Sequence, residues 1–157
     1  IRLQLLDLEG GSKATKKYHI TGLTEEDTQI DLFVLRASEM YLIRAEANAQ
    51  LGDLEAAKTD LKTIQARALQ IPASEITLEA SSQEVLLDLI MTERARELSF
   101  EGHRLFDLIR TGRDLERAPS VNSSVKVLEY PNPLFILPIP ETEINANNNI
   151  VQNPEYN

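Results

Sequence analysis

The sequence predicts a single, mostly α-helical domain, and three observations support this prediction. Apolar residues recur at helical spacing on both sides of a Gly-Asp turn, a Ser-x-x-Glu capping box precedes a third such stretch, and the end of the chain is rich in proline and asparagine. We expect an extended or loop segment over residues 1–34, a helical region over 35–112 and an irregular packed tail over 113–157.

The N-terminal segment is predicted to be extended. Apolar and polar residues alternate from Ile1 to Leu5 before Gly10-Gly11, which is typical of a strand that ends in a turn, and the stretch KKYHITGL (16–23) would continue it. Because the chain starts inside such a pattern, we expect it to be the C-terminal fragment of a larger protein. The lack of a targeting signal is then uninformative.

Two helices joined by a tight turn form the predicted helical hairpin. The first runs from about Leu35 to Leu51 and is apolar nearly all round, so we expect it to pack on more than one side. Asp53 is predicted to cap the second helix. Its apolar residues follow at steps of three and four: Leu54, Ala57, Leu61, Ile64 and Ala68.

A third, kinked helix is predicted to follow. Ser81 and Glu84 form the capping box, and the helix continues to about Phe100. Gly102 then indicates a break, because glycine destabilises a helix by about 1 kcal/mol relative to alanine. A shorter helical piece follows over 103–110. In the tail, five prolines after residue 130 argue against a regular helix or a central strand, while the apolar stretch LFILPIP indicates partial burial.

The charge balance limits the classes of partner. The chain has 16 Lys and Arg against 25 Asp and Glu, a net charge of -9, so we expect no nucleic-acid partner. It contains no cysteine, which excludes disulfides and thiolate chemistry. We expect no cofactor.

A charged cluster is the main candidate for a functional site. Glu93, Glu97 and Glu101 lie four residues apart and would stack along the third helix, partly facing inward. Buried carboxylates without partners are very costly, so arginines must neutralise them. The predicted structural ion-pair cluster comprises Arg36, Arg44, Glu93, Arg94, Glu97, Glu101, Arg104, Asp107 and Arg110.

Two other interpretations of this cluster give it chemistry. Glu97, Glu101 and Asp107 could act as acid and base, as carboxylate pairs do in glycoside hydrolysis, but neighbouring arginines would keep them ionised. His103 and Asp107 could bind a metal with Glu101, although this spacing is common by chance. We therefore predict no catalytic and no metal-binding residues.

Four stretches resemble, in order, the C-terminal part of SusD/RagB-type outer-membrane lipoproteins of Bacteroidetes. They are LRASEMYLIRAEANAQLGDLEAAKTDLKTIQARA (35–68), ERARELSFEGHRLFDLIRTG (93–112), LPIPETEI (137–144) and QNPEY (152–156). The resemblance implies a mostly helical fold with tetratricopeptide-like hairpins. It also implies a non-catalytic, surface-exposed protein that binds oligosaccharides or other nutrients and delivers them to a SusC-like TonB-dependent transporter.

The resemblance also implies where the remaining parts of such a protein would lie. The lipid-anchored cysteine and most ligand-contacting loops are expected before Ile1, so no ligand-binding residue is assigned here. The alternative is a tetratricopeptide-type protein-interaction module without glycan binding, because a helical hairpin alone fits both. Such modules normally show two or more repeats at a fixed period, and the sequence shows one clear hairpin.

Overall fold

The computed structural model describes residues 5–7, 13–15 and 34–156. The chain divides into two compact units, Ile1–His103 and Arg104–Asn157, which are described separately. The helices and strands, in chain order, are β1 Leu5–Asp7, β2 Lys13–Thr15, α1 Ala37–Gln50, α2 Leu54–Leu69, α3 Gln83–Glu97, α4 His103–Thr111, β3 Leu115–Glu116, β4 Val127–Leu128 and α5 Glu141–Ala146. The mostly helical fold predicted from the sequence is confirmed.

The first unit begins with a small antiparallel pair. β1 pairs with β2 in a register that sets Leu5 opposite Thr15 and Asp7 opposite Lys13. The predicted strand at the N-terminus is therefore present over 5–7. The predicted turn at Gly10-Gly11 and the continuation over 16–23 lie outside the described residues.

α1 and α2 form the predicted hairpin. Gly52 takes a left-handed conformation, with φ of 86°, in the turn between them. The Asp53 carboxylate accepts a hydrogen bond from the backbone N–H of Ala56 at 3.1 Å, which caps α2 as expected. Together with α3, the hairpin encloses one core of buried apolar residues: Leu42, Ala45, Ala49, Ala57, Leu61, Ile64, Leu86 and Ile90.

The start and end of α3 differ from the sequence-based prediction. The cap is Ser82 rather than Ser81, and its hydroxyl accepts a hydrogen bond from the backbone N–H of Val85 at 3.2 Å. The helix ends at Glu97, three residues before the predicted Phe100. Phe100 has a φ of 64°, which a right-handed helix cannot include, so the chain turns before Gly102.

The two adjacent serines give a matched test of this cap. We expect Ser82→Ala to lower the free energy of unfolding by about 1 kcal/mol, because the N–H of Val85 loses its acceptor. Ser81→Ala is the control and should change it by less than about 0.5 kcal/mol. Chemical denaturation measures both. The reverse order of effects would show that Ser81 is the cap.

The second unit contains α4, a two-stranded hairpin and the tail. β3 pairs antiparallel with β4, with Leu115 opposite Leu128. Phe135 is buried and meets the ring of Tyr130 edge-on, with 5.8 Å between the ring centres. Ile136 and Leu137, from the same apolar stretch, are about two-thirds exposed, at 67% and 66%. Within LFILPIP, Phe135 is thus buried while Ile136 and Leu137 remain exposed.

Side chains near the C-terminus hold the tail in place. The Gln152 amide donates to the carbonyl oxygen of Ile139 at 2.9 Å and accepts from its N–H at 3.1 Å. The Asn153 amide donates to the carbonyl of Pro133 at 2.9 Å.

The prediction that the tail contains no regular helix was wrong at α5. This helix starts directly after Pro140, a position where the missing N–H of proline costs no hydrogen bond.

In the parts of the chain that the structure describes, no helix is both long enough and apolar enough to span a bilayer.

Candidate functional site

The central feature of the charged cluster is one arginine that contacts two glutamates. The Arg36 guanidinium lies 2.6 Å from the Glu97 carboxylate and 2.8 Å from that of Glu101. It also donates to the backbone carbonyl of Glu97. Arg67 approaches the same Glu97 oxygen, at 2.5 Å, from another helix. Glu97 is fully buried. Its negative charge is balanced by the guanidinium groups of Arg36 and Arg67.

The ends of three helices bring these groups together. Arg36 precedes α1, Arg67 lies in the last turn of α2, and Glu97 is the last residue of α3. Glu101 follows in the turn after α3, so it does not continue the predicted ladder of helical rungs. It nevertheless reaches Arg36, because the turn returns the chain towards the start of α1. The network therefore joins the hairpin to the end of α3.

Two opposing effects set the charge state of Glu97. Burial raises the pKa of its carboxyl group, but attraction to Arg67 and Arg36 outweighs this, so the net pKa is lowered. Burial also acts against the charged form of Arg36. Its hydrogen bond to Glu101 and its attraction to Glu97 nevertheless raise its pKa. Glu97 and Arg36 are therefore both ionised at neutral pH.

The lowered pKa of Glu97 predicts how stability depends on pH. Since the folded-state pKa lies below the ordinary value of 4.5, the stabilising effect is complete above that value and disappears as pH falls through the folded-state pKa. We expect wild type and Glu97→Gln to differ most in free energy of unfolding near neutral pH. The difference should shrink in acid. Denaturation of both at several pH values measures this, and a difference that grows in acid would contradict it.

Other members of the predicted cluster form smaller groups. Arg94 and His103 lie 3.9 Å and 3.7 Å from the carboxylate of Glu39, on α1. The carboxylate of Glu93 is buried, and lies 3.8 Å from Arg96 and 3.4 Å from the amide of Gln65. These groups again place α3 side chains against α1 and α2.

Arg44 pairs across the hairpin rather than with α3. Its guanidinium makes two hydrogen bonds, of 2.7 and 2.8 Å, to the buried carboxylate of Asp60 on α2. It also lies over the ring of Tyr41.

In the second unit, Asp107 pairs with Arg110 at 2.8 Å within α4. Arg104 is exposed and lines a pocket of about 380 Å³ with Leu108, Gly112, Arg113, Asp114 and Glu116.

The participants that the predicted cluster omitted include Arg67, Asp60 and Glu39. Asp60 and Arg67 each follow a buried residue of the α2 seam by three positions, so both lie beside the apolar face. That position was a usable signal, because a charged residue next to a buried seam needs a partner. Glu39 gives no such signal, since its partners come from distant parts of the chain.

The geometry suits charge neutralisation better than acid-base chemistry. A general acid must keep its proton near neutral pH, whereas the pKa of Glu97 is lowered. Glu97 and Glu101 both contact Arg36, and the attraction to this arginine is one cause of the lowered pKa of Glu97. Among the described residues, no group of three or more His, Asp and Glu side chains could hold a metal ion.

Comparison with known sequences decides the family. The sequence model of the SusD family matches residues 11–156, nearly the whole chain. The chain belongs to the SusD family. The charged run from Glu93 to Asp107 and the tail interactions of Gln152 therefore lie within the SusD match. The network described above lies wholly within the residues that the SusD family model matches.

Known SusD relatives are much longer than this chain. The chain is 31% identical over 110 residues to the SusD-like protein P38 of Formosa agariphila, which covers 68% of this chain and 22% of that protein. A SusD superfamily structure from Bacteroides vulgatus is 31% identical, with a TM-score of 0.69, over 99% of this chain and 35% of that one. A Bacteroides vulgatus protein with a proposed sugar-binding function is 34% identical, with a TM-score of 0.65, over 79% and 28%. The chain thus spans about a fifth to a third of these relatives.

Proposed function

We propose that this chain is part of a non-catalytic receptor that binds oligosaccharides or other nutrients at the cell surface. The observation that supports this most directly is the SusD family match over residues 11–156. The similarity to a protein with a proposed sugar-binding function agrees with it. In this proposal the receptor passes its ligand to a SusC-like TonB-dependent transporter in the outer membrane.

The charged cluster is proposed to be structural. Its central carboxylate, on Glu97, is fully buried and contacts two arginines, so it has neither the exposure nor the protonation state that a substrate-cleaving acid needs. Networks of this kind hold segments in register when all members are paired. We propose this role for the eight predicted residues that make ion pairs, and for Arg104, which lines the pocket of the second unit, it stays a prediction.

The parts of the receptor that touch ligand and membrane are proposed to lie mainly outside this chain. Its relatives are about three times as long, which leaves ample polypeptide for ligand-contacting loops and for an N-terminal lipid anchor. The chain itself would supply the helical scaffold. This assignment explains why aromatic residues, which stack on sugars, are scarce here at 5% with no Trp.

Binding and cleavage can be separated in one experiment. The full-length protein is incubated with a panel of polysaccharides; binding is measured by affinity electrophoresis, and products by size analysis of the glycan. We expect retarded migration with at least one glycan and no shortened products. Heat-denatured protein is the control for non-specific retardation.

Two outcomes would contradict the proposal. Shortened products would show that the protein is an enzyme. Failure to bind any glycan or nutrient, together with failure to co-purify with an outer-membrane transporter, would favour the protein-interaction module.

A further inference from the structure

A pocket at the end of α4 combines charged and apolar side chains. Its volume is about 380 Å³. Small-molecule sites in proteins occupy about 300–1,000 Å³, so the pocket is large enough for a ligand of that class. None of its residues belongs to the network around Glu97. All of them lie in the second unit: Arg104, Leu108, Gly112, Arg113, Asp114 and Glu116.

The path of the chain after α4 brings these residues together. Arg104, Leu108 and Gly112 follow one another at steps of four residues, so they lie on one side of α4 and its end. Gly112 takes a left-handed conformation, with φ of 64°. The backbone N–H of Arg113 then donates to the carbonyl of Leu108 at 2.9 Å. The chain thus leaves the helix axis at Gly112, and residues 113–116 line the pocket together with α4.

Arg104 carries a positive charge that the described residues do not balance. Its side chain is exposed, and no acidic side chain in the described ranges pairs with it. It lies in the first turn of α4, where the helix dipole disfavours a positive charge. Asp107 pairs with Arg110 instead, at 2.8 Å. Neither an ion pair nor the helix therefore accounts for this arginine, and its guanidinium can bind an anion from outside.

Two carboxylates in the same pocket limit which anion fits. One oxygen of Asp114 accepts a hydrogen bond from the backbone N–H of Tyr130 at 2.7 Å, and Glu116 is exposed. Carboxylates repel a ligand with many negative charges, but they accept hydrogen bonds from hydroxyl groups. The pocket therefore suits a ligand that carries one acidic group among several hydroxyl groups.

An aromatic ring lies next to the pocket. A Cβ at Gly112 would lie 3.5 Å from a carbon of the Tyr130 ring. This ring meets Phe135 edge-on, which restricts its orientation, and Tyr130 remains 41% exposed. Aromatic rings provide a flat apolar face, against which the C–H groups of a sugar can pack. The surroundings of the pocket thus favour a sugar over a smaller acid.

We propose that this pocket binds an acidic sugar unit, with the sugar carboxylate on Arg104 and its hydroxyl groups on Asp114 and Glu116. A planar guanidinium matches a carboxylate through two parallel hydrogen bonds. Arg113 adds a second positive charge to the lining. The inference rests on the proposed function, because it takes the ligand to be a glycan, and it adds a ligand class and a contact site within this chain. An acidic peptide side chain would meet the same guanidinium but has no hydroxyl groups for the two carboxylates.

Calorimetric titration of the full-length protein tests the proposal. The probes are the methyl glycosides of glucuronate, galacturonate and mannuronate, each compared with that of the matching neutral hexose. An acetylated and amidated glutamate stands in for an acidic peptide. Arg104→Ala and Arg104→Gln remove the charge. Arg117→Ala is the matched control, because Arg117 is exposed in the same unit and its guanidinium donates to the carbonyl of Val125 at 2.8 Å. Urea denaturation shows whether each variant folds.

We expect at least one uronate to bind the wild type at least about tenfold more tightly than its neutral hexose, because a charged hydrogen-bonded pair contributes at least that factor. Arg104→Ala and Arg104→Gln should both reduce this preference to about twofold or less, since the remaining contacts are common to both sugars. Arg117→Ala should leave it unchanged. A purely structural role of Arg104 would not alter the preference between acid and hexose.

Several results would overturn the inference. Equal or weaker binding of the uronates in the wild type would do so, as would an unchanged preference in the Arg104 variants. If Arg104→Ala fails to fold, Arg104→Gln decides by the same criterion. Tighter binding of the glutamate derivative than of every uronate would assign the pocket to an acidic peptide. Failure of all three uronates to bind would also remove the inference, and the polysaccharide panel decides separately whether the receptor proposal falls with it.

Discussion

Glu97→Gln is expected to destabilise the protein by about 3 kcal/mol, because it removes the charge that balances two arginines in a buried setting. Glutamine has nearly the same shape, so the change leaves packing intact. Because both guanidinium groups contact the same Glu97 oxygen, the amide oxygen of glutamine can still accept from them, and the loss comes from the removed charge. Urea denaturation near neutral pH measures the difference in free energy of unfolding.

The control for this prediction is an exposed ion pair on the same unit. Glu55 pairs with Lys58 at 2.8 Å, but its side chain is 85% exposed, so Glu55→Gln should change the free energy of unfolding by less than about 0.5 kcal/mol. Equal effects of the two substitutions would show that burial does not strengthen the network. An unchanged melting temperature for Glu97→Gln combined with lost turnover of a glycan would instead support the acid-base interpretation.

Leu61→Ala is expected to be about as damaging, with a loss of about 3 kcal/mol. Leu61 is fully buried in the core shared by α1, α2 and α3. Its truncation removes apolar contact on the inner face of α2 and leaves a cavity, since the helices that surround it are fixed by the Gly52 turn and the charged network. The loss should appear as a lower denaturation midpoint with an unchanged slope.

Leu69→Ala is the matched control for the core substitution. Leu69 is the last residue of α2 and is 55% exposed, so the same chemical change should alter the free energy of unfolding by less than about 1 kcal/mol. A large loss at Leu69 and a small one at Leu61 would contradict the seam assigned to α2.

The sequence predicted the helices well where local signals are strong. The Gly52-Asp53 turn marked the hairpin, because a left-handed residue and a side-chain cap act within a few residues of each other. The start of α3 was less certain, since two adjacent serines offer equivalent caps and only the path of the chain selects Ser82. Its end depended on the conformation of Phe100, which no propensity indicates.

The candidate site was predicted in its chemistry but not in its partners. Burial of Glu93 and Glu97 required arginines, and Arg36 was among those named. The second arginine, Arg67, was not, because its approach depends on how the end of α2 packs beside α3. Asp60, the partner of Arg44, was missed for the same reason.

The amino-acid sequence by itself determined the helical content, the hairpin, the family resemblance and the need for buried carboxylates to be neutralised, because these follow from side-chain type and spacing along one chain. Only the tertiary structure decided which arginine meets which carboxylate and which face of α1 is filled. Those outcomes depend on distances between residues far apart in sequence, such as Arg36 and Glu97, which no local pattern encodes.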